Sequence, residues 1–395
     1  MAQIRTACIG LGPMGLAMSG YFTRFPECEI VAMCDRSESV LNAALDSFEQ
    51  TTGKRLPGFT SHEELFRSMD FEACAIACSP EVQPSLSVYA LEHGKHVLCQ
   101  VPVAFTEEDC RAIYRAARRS GRVFCCGEET RDWAFFRQWR EMERQGSFGK
   151  IFYAEGEYLH YEPDWDLFTD AASGTPVRKS EACCRKDAEL VPSWRSRLFS
   201  HPILYLPHTL GPLLSVTGGR ITRVSCFVTR PSGYIYRDFP FRDLECAVMH
   251  NDRDVVFQVK AGFTTPHGFK AGTGAHWYQI KGTKQTVEWA RSTLDTPKRF
   301  TPVPGTHDGE WQAMDCVLSR PEDDHEIRSS GHGGADLFPV RSFLSEILYG
   351  TPSPTGLVPA LQMTLPAILA ARSSEEGGRD LAVPDLSSFD ESYRR

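Results

Sequence analysis

The sequence lacks a positive surplus: 43 Lys and Arg stand against 51 Asp and Glu, a formal net charge of −8 over 395 residues. An acidic chain repels phosphate backbones, so no nucleic-acid partner is expected. No apolar run reaches membrane-spanning length, which excludes a helical membrane anchor and predicts no membrane partner. The 14 cysteines include no Cys-x-x-Cys pair. Cys8, Cys34, Cys74, Cys78, Cys125 and Cys126 fall instead in apolar, strand-like runs, the pattern of reduced core thiols in a cytoplasmic protein. No His, Cys or carboxylate cluster has metal-ligand spacing, so no metal is expected. The chain enters a strand pattern directly after Met1-Ala2-Gln3, which predicts no signal or transit peptide. Internal repeats and low-complexity tracts are missing too.

What is present begins with a short apolar run, "QIRTACI", ending at Gly10-Leu11-Gly12-Pro13-Met14-Gly15. Apolar residues then recur at helical spacing through Phe22, and a second strand, "EIVAMC", ends at Asp35, twenty residues after Gly15. Strand, glycine turn, helix, strand and acid together form the dinucleotide fingerprint. Gly10 permits the tight turn, Gly12 lets the backbone approach a pyrophosphate, and Gly15 lets helix pack on strand. The helix N-terminus, with Met14 in its first turn, favours the anion. Asp35 would bind the ribose hydroxyls and repel a 2′-phosphate, favouring NAD over NADP, whereas Arg36 would welcome that phosphate.

The alternation continues. Ser37 opens a helix that "LDSFEQTTG" closes; "FEACAIACSP" reads as a buried strand and "QPSLSVYALEHG" as a helix. "KHVLCQVP" is the next strand, Thr106 and Asp109 start another helix, and "RVFCCG" is a further strand. Such alternation predicts a parallel, doubly wound α/β sheet over residues 1–126, with its ligand at the C-terminal strand ends. Ser79-Pro80 and Gln100-Val101-Pro102 are two such ends and are expected to border a nicotinamide. Val101 there is apolar and can serve as no base.

Residues 127–395 follow another rule. An amphipathic helix, "FFRQWREMERQGSFG", precedes "IFYAEGEYLHY", which alternates as a half-buried strand does. "RITRVSCFVT", "CAVMHN", "VVFQVKAGF", "HWYQIKGTK" and "QTVEWAR" then read as strands joined by turns, a mostly antiparallel sheet in an α+β domain. Residues 162–193 are expected to be an irregular connection covering the substrate side. The last helix, over 357–378, is expected to kink at Pro366.

With "GLGPMG", "YALEHGKHVLCQVPVAFTEED", "QGSFGKIFYAEGEY" and "GHGGADLFPVRSFLSEIL" in view, the chain resembles the Gfo/Idh/MocA oxidoreductases from end to end. That resemblance implies a Rossmann domain joined to an open-faced sheet domain, a nicotinamide cofactor, a sugar or polyol substrate, and a homodimer or homotetramer. Most of that family carries Glu-Lys-Pro at the strand end, its lysine assisting proton removal; here the residues are Gln100, Val101 and Pro102. The family's Asp-x-Gly-x-His-x-x-Asp run keeps only His208, with Leu204, Leu206 and Gly211 in its other positions.

The chain is more similar to glycoside hydrolase family 109, the NAD-dependent α-N-acetylgalactosaminidases, which also lack the lysine. Positions matching that branch are Glu128, Tyr158 and His160 in "YLH", and Tyr205 and His208 in "YLPHTLGP". Trp194, Arg195, His332 and Asp336 match as well. Tyr161 stands where the branch has Asp, and Leu-Pro separates Tyr205 from His208 where it has Pro-Thr. The resemblance implies proton-carrying roles for Glu128, Tyr158, His160, Tyr205 and His208, and sugar contacts for Trp194, Arg195 and His332. Three functions are compatible with these residues: redox-assisted glycoside cleavage on held NAD, net sugar oxidation with His208 replacing the lysine, and a silent NAD-binding sensor. The bland alternatives are packing for the tyrosines, a carbonyl cap for His160, and a pairing of Glu128 with Arg131 or Arg195.

Overall fold

The computed structural model describes residues 3–171, 175–182, 184, 189–231, 233–235, 237, 239–266, 274–320, 323 and 325–391. The chain divides into two compact units, one of residues 1–128, 336–361 and 386–395, the other of residues 129–335 and 362–385.

The first unit is built on a six-stranded sheet: β1 (Ile4–Ile9), β2 (Cys28–Cys34), β3 (Gly58–Phe59), β4 (Ala73–Ile76), β5 (His96–Cys99) and β6 (Phe124–Cys126). Their order is β3-β2-β1-β4-β5-β6, and every pairing is parallel. This is the doubly wound order expected from the alternation, and it reverses direction between β1 and β4, where such sheets open a ligand crevice. The helices start where the sequence marks them. Ser37 Oγ accepts from the Val40 amide ahead of Glu38–Thr52, and Thr106 Oγ1 accepts from the Asp109 amide ahead of Glu107–Ser120. Both helices end on glycines in the left-handed region, Gly53 and Gly121.

The first unit also takes in 336–361 and 386–395. The physical reason lies in the helix Leu337–Tyr349: Val340, Phe343 and Leu344 join the core formed by Ile4, Cys8, Phe22 and Leu98. Phe22 and Phe343 meet edge to face at 6.2 Å. Cys8, Cys34 and Cys74 are buried as free thiols and Cys78 lies at the edge of the core, and burial pushes Cys34 and Cys78 up to about 12.

The second unit carries β7 (Ile151–Leu159), a small sheet of β8 (Phe168–Asp170), β9 (Pro176–Val177) and β10 (Leu190–Pro192), then β11 (Ile221–Val228), β12 (Glu245–Asn251), β13 (Val256–Gly262), β14 (His276–Gly282), β15 (Thr286–Glu288), β16 (Lys298–Pro302), β17 (Gly309–Ala313) and β18 (Leu381–Ala382). The large sheet runs β17-β16-β15-β14-β7-β13-β12-β11-β18. Only β7 and β13 pair in parallel; the other pairs are antiparallel.

Strand period two then sorts β7. Tyr153, Glu155 and Glu157 face one side, where Lys260 Nζ reaches Glu155 at 2.9 Å and Glu157 at 2.8 Å. Ala154, Gly156 and Tyr158 face the helix Pro207–Thr217, which lies so close that a Cβ on Gly156 would meet Thr209 Cγ2 at 2.3 Å. The connection 162–193 is less irregular than the sequence suggests, since it contains the three-stranded β10-β8-β9 sheet; residues 172–174, 183 and 185–188 of it lie outside the described residues. The helix Leu357–Glu375 runs through Pro366. No helix among the described residues is long and apolar enough to cross a membrane.

Candidate active site

The site residues expected from the sequence fall in both units. In the first, each fingerprint glycine has its own reason. Gly10 sits at φ +83°, and a Cβ there would stand 2.6 Å from the Ala77 carbonyl oxygen. A Cβ on Gly15 would stand 1.8 Å from the carbonyl oxygen of Gly10, so the helix can touch the turn only without one. A Cβ on Gly12 would meet nothing within 4 Å. Packing therefore does not demand a glycine at Gly12, and the open space there leaves the backbone accessible to a ligand. The helix Pro13–Phe22 starts at Gly12 with no side-chain cap, leaving its first amides for an anion. Met14 is exposed on that first turn. These features fit a dinucleotide pyrophosphate.

Asp35 has a part that the fingerprint alone does not reveal. Its Oδ2 accepts from the Leu11 amide at 2.8 Å and its Oδ1 from the Ser37 amide at 2.9 Å. The carboxylate thus fixes the glycine turn and starts the next helix, and each oxygen keeps a second lone pair for a ribose hydroxyl. Arg36 beside it is exposed. At the end of β4, the Ser79 hydroxyl bonds the Glu81 carboxylate, and Pro80 is buried. At the end of β5, buried Gln83 donates from Nε2 to the carbonyls of Gln100, at 3.1 Å, and Pro102, at 2.8 Å, on either side of a cis Val101–Pro102 bond. Val101 is itself buried. Glu128, also fully buried, closes this unit's first segment.

In the second unit three expected residues come together around a fourth, Tyr158. Its ring centroid lies 4.7 Å from His160, 5.4 Å from Tyr205 and 5.7 Å from His208, the last nearly parallel. Burial, ahead of the neighbouring Tyr205 and Glu129, raises the Tyr158 phenol well above its ordinary value, so it holds its proton. His160 stacks on Phe263 at 5.5 Å, and its Nε2 is buried with no hydrogen-bond partner among the described residues. The reading of His160 as a mere carbonyl cap finds no support in that arrangement.

Three residues in this cluster escaped sequence reasoning. Glu129 is buried, with Oε1 3.5 Å from Nδ1 of His208 and 3.7 Å from Nδ1 of His332. His276 on β14 is the cross-strand neighbour of Tyr158, with rings 4.7 Å apart. Tyr278, two residues on along the same face, donates its hydroxyl to the His208 carbonyl at 2.8 Å, and Thr130 Oγ1 donates to the same oxygen at 2.9 Å. Tyr278 has only one hydroxyl proton, so in its 2.7 Å contact with His276 Nδ1 it accepts. His276 therefore carries its proton on Nδ1. Burial, followed by the charges of His208, His160 and His332, drives His276 well below the usual histidine range and keeps it neutral. The alternation "HWYQI" already placed His276 and Tyr278 on one face; what it did not give was the strand beside them.

The expected sugar contacts are less centrally placed. Arg195 lies over the rings of Trp165, at 4.9 Å, and Trp194, at 4.8 Å. His332 is half exposed, and its carbonyl accepts from Trp133 Nε1 at 2.6 Å. In the first unit, Asp336 accepts from the Tyr21 hydroxyl at 2.5 Å, a structural tie.

Residues 4–128 match the model of the GFO_IDH_MocA oxidoreductase family, NAD-binding Rossmann fold. The chain is similar to a Porphyromonas gingivalis protein named glycosyl hydrolase family 109 protein, 28% identical over 98% of this chain and 85% of that one. Glycosyl hydrolase family 109 protein 1 of Bacteroides fragilis is also 28% identical, but the match covers 41% of this chain and only 36% of that protein. In fold, the chain is similar to an oxidoreductase from Agrobacterium radiobacter solved with NAD+, L-tartaric acid and magnesium, at a TM-score of 0.71 and 15% identity, over 98% of this chain and all of that one. The resemblance to Gfo/Idh/MocA proteins and their family 109 branch read from the sequence is thereby borne out.

Proposed function

We propose that this chain is an NAD-dependent carbohydrate-active enzyme that oxidises a sugar hydroxyl, at carbon 3, as the first step of cleaving a glycosidic bond. The observation that carries the proposal is the cluster of Tyr158, His160, Tyr205 and His208, with Glu129 beneath it, in a chain whose β5 end offers only buried Val101. When bound, NAD would supply the acceptor for the hydrogen and electron pair leaving carbon 3 and the source for their return.

The chain's own residues move the protons. His208 takes the hydroxyl proton, and Glu129 beside its Nδ1 balances the charge the imidazole gains. A carbonyl at carbon 3 acidifies the carbon-2 proton, which His160 removes through its unpartnered Nε2. Tyr158, held protonated by burial, donates to the departing oxygen at carbon 1. Water then adds, and the same groups run in reverse as the carbonyl is reduced. The sum is hydrolysis, with no net oxidation. Glu128 and Tyr205 are the remaining proton carriers, and Trp194, Arg195 and His332 hold the sugar.

A net NAD-dependent sugar dehydrogenase, with His208 in the place of the lysine, is the second reading, favoured by the match of residues 4–128 to an oxidoreductase family. Stoichiometry separates the two. Purified protein given aryl glycosides and no added cofactor is expected to release many aryl groups per bound NAD without accumulating NADH. One NADH per sugar from added NAD points to the dehydrogenase instead, and silence in both assays despite bound NAD contradicts both.

A further inference from the structure

Away from the Tyr158 cluster, the second unit holds a buried polar group with no part in the proton transfers above. His201 ends the helix Trp194–Ser200 and begins the turn Pro202–Tyr205, so it stands between Arg195 and the pair Tyr205 and His208. Its ring lies between two carboxylates: Nδ1 is 3.2 Å from Glu245 Oε1, and Nε2 is 2.9 Å from Glu375 Oε1. Arg242 approaches the Nε2 side at 3.4 Å and donates to the Ser200 carbonyl at 2.5 Å.

Glu245 is fully buried at the start of β12. Its Oε2 accepts from the Ile203 amide at 2.9 Å, and its Oε1 also accepts from Ser374 Oγ at 2.9 Å. One carboxylate thus gathers a backbone amide inside the Tyr205 turn, the ring before that turn, and a hydroxyl from the helix behind it. A buried carboxylate must have every donor in place, so losing one frees it to rotate and release the others.

We propose that His201 is a positioning residue, which acts through Glu245 to hold the Ile203–Tyr205 turn and the adjoining His208 in register with Tyr158. The proposal rests on the reading of Tyr205 and His208 given under Proposed function. Of the two bonds to His201, the inner one to Glu245 carries the effect, because only Glu245 also holds the turn's backbone. Glu375, whose side chain is 57% exposed, is an outer partner.

Two amides separate these roles, since asparagine places an N–H near Nδ1 and glutamine places one near Nε2. The test compares His201→Asn, His201→Gln, His201→Phe and Glu375→Gln in the full chain with bound NAD. It reads amide hydrogen exchange over residues 201–208 together with kcat and KM for an aryl glycoside. His201→Gln and His201→Phe are expected to speed exchange in that segment at least tenfold and to lower kcat roughly a hundredfold, with KM and NAD binding little changed. His201→Asn and Glu375→Gln are expected to stay within about threefold of the parent.

Unchanged exchange in His201→Phe overturns the proposal, whatever the activity, and so does equal damage in the Asn and Gln variants. Faster exchange with unaltered kcat leaves the clamp standing and contradicts instead the roles given to Tyr205 and His208. Should His201→Phe fail to fold, the Asn and Gln pair still decides the matter.

Discussion

Glu129 Oε1 stands 3.5 Å from Nδ1 of His208, and both residues are buried. Under the proposed function, a carboxylate at that distance balances the charge the imidazole gains on taking a proton. Glu129→Gln keeps the shape and removes the charge. It is expected to lower kcat about 10²-fold while NAD affinity stays unchanged, and His208→Ala to lower it by about 10²–10⁴. Steady-state kinetics beside NAD titration checks this, and full activity in His208→Ala removes that residue from the chemistry.

The fingerprint glycines separate ligand from fold. Gly12→Ala adds a methyl that meets no protein atom within 4 Å, so stability should change by no more than about 1 kcal/mol while NAD affinity falls at least about tenfold. Gly15→Ala drives a methyl into the Gly10 carbonyl and should cost about 1–3 kcal/mol or more of stability. Denaturant unfolding and NAD titration on both variants check the pair. Equal NAD affinity in Gly12→Ala and the parent contradicts the placement of the pyrophosphate.

Two histidines, His276 buried and His96 half-buried, set a pH dependence of stability. Burial, with Arg122 adding to it, drives His96 down to about 4, and His276 lies well below its usual value. In the unfolded chain each titrates near ~6.5. Below that pH the unfolded state binds protons that the folded state refuses. The stability present above pH ~6.5 therefore drains as pH falls toward the folded values, by at most about 1.4 kcal/mol per pH unit for His276 and by less for the part-exposed His96. Urea unfolding between pH 7 and 5 should show this slope, and His276→Asn should flatten it by about one group's share. An unchanged slope means that His276 is not held neutral.

Tyr158 titrates in the opposite sense. Its raised phenol stays protonated below pH ~10, so no alkaline limb of the pH–rate profile in that range belongs to it. Tyr158→Phe is expected to lower kcat about 10²-fold while leaving the positions of the profile's limbs in place. A limb that disappears with the hydroxyl would show Tyr158 acting as a base.

The sequence made some of this plain because the relevant physics is local. A glycine turn after a strand, Thr106 with Asp109, and the alternation of "IFYAEGEYL" each act within a few residues, and each appears where expected. Tyr158, His160, Tyr205 and His208 stand out in the sequence through the spacing of a known branch, and the structure brings their rings together. Glu129 does not: in "GEET" nothing local says which glutamate meets His208. His276 was hidden for another reason, since its role depends on β14 pairing with β7 across more than a hundred residues of intervening chain. The return of residues 336–361 to the first unit is likewise a matter of which core an amphipathic helix joins, and helical period does not say.

The central claim is that proton transfer at a transiently oxidised sugar has moved from the β5 end, where Val101 stands, to the Tyr158 cluster. Its most direct test is turnover of an aryl glycoside in heavy water with only the NAD the protein already holds. The account predicts a released sugar with one solvent-derived deuterium at carbon 2, no accumulation of NADH, and loss of both label and turnover in His208→Ala. Released sugar without deuterium at carbon 2 would contradict it.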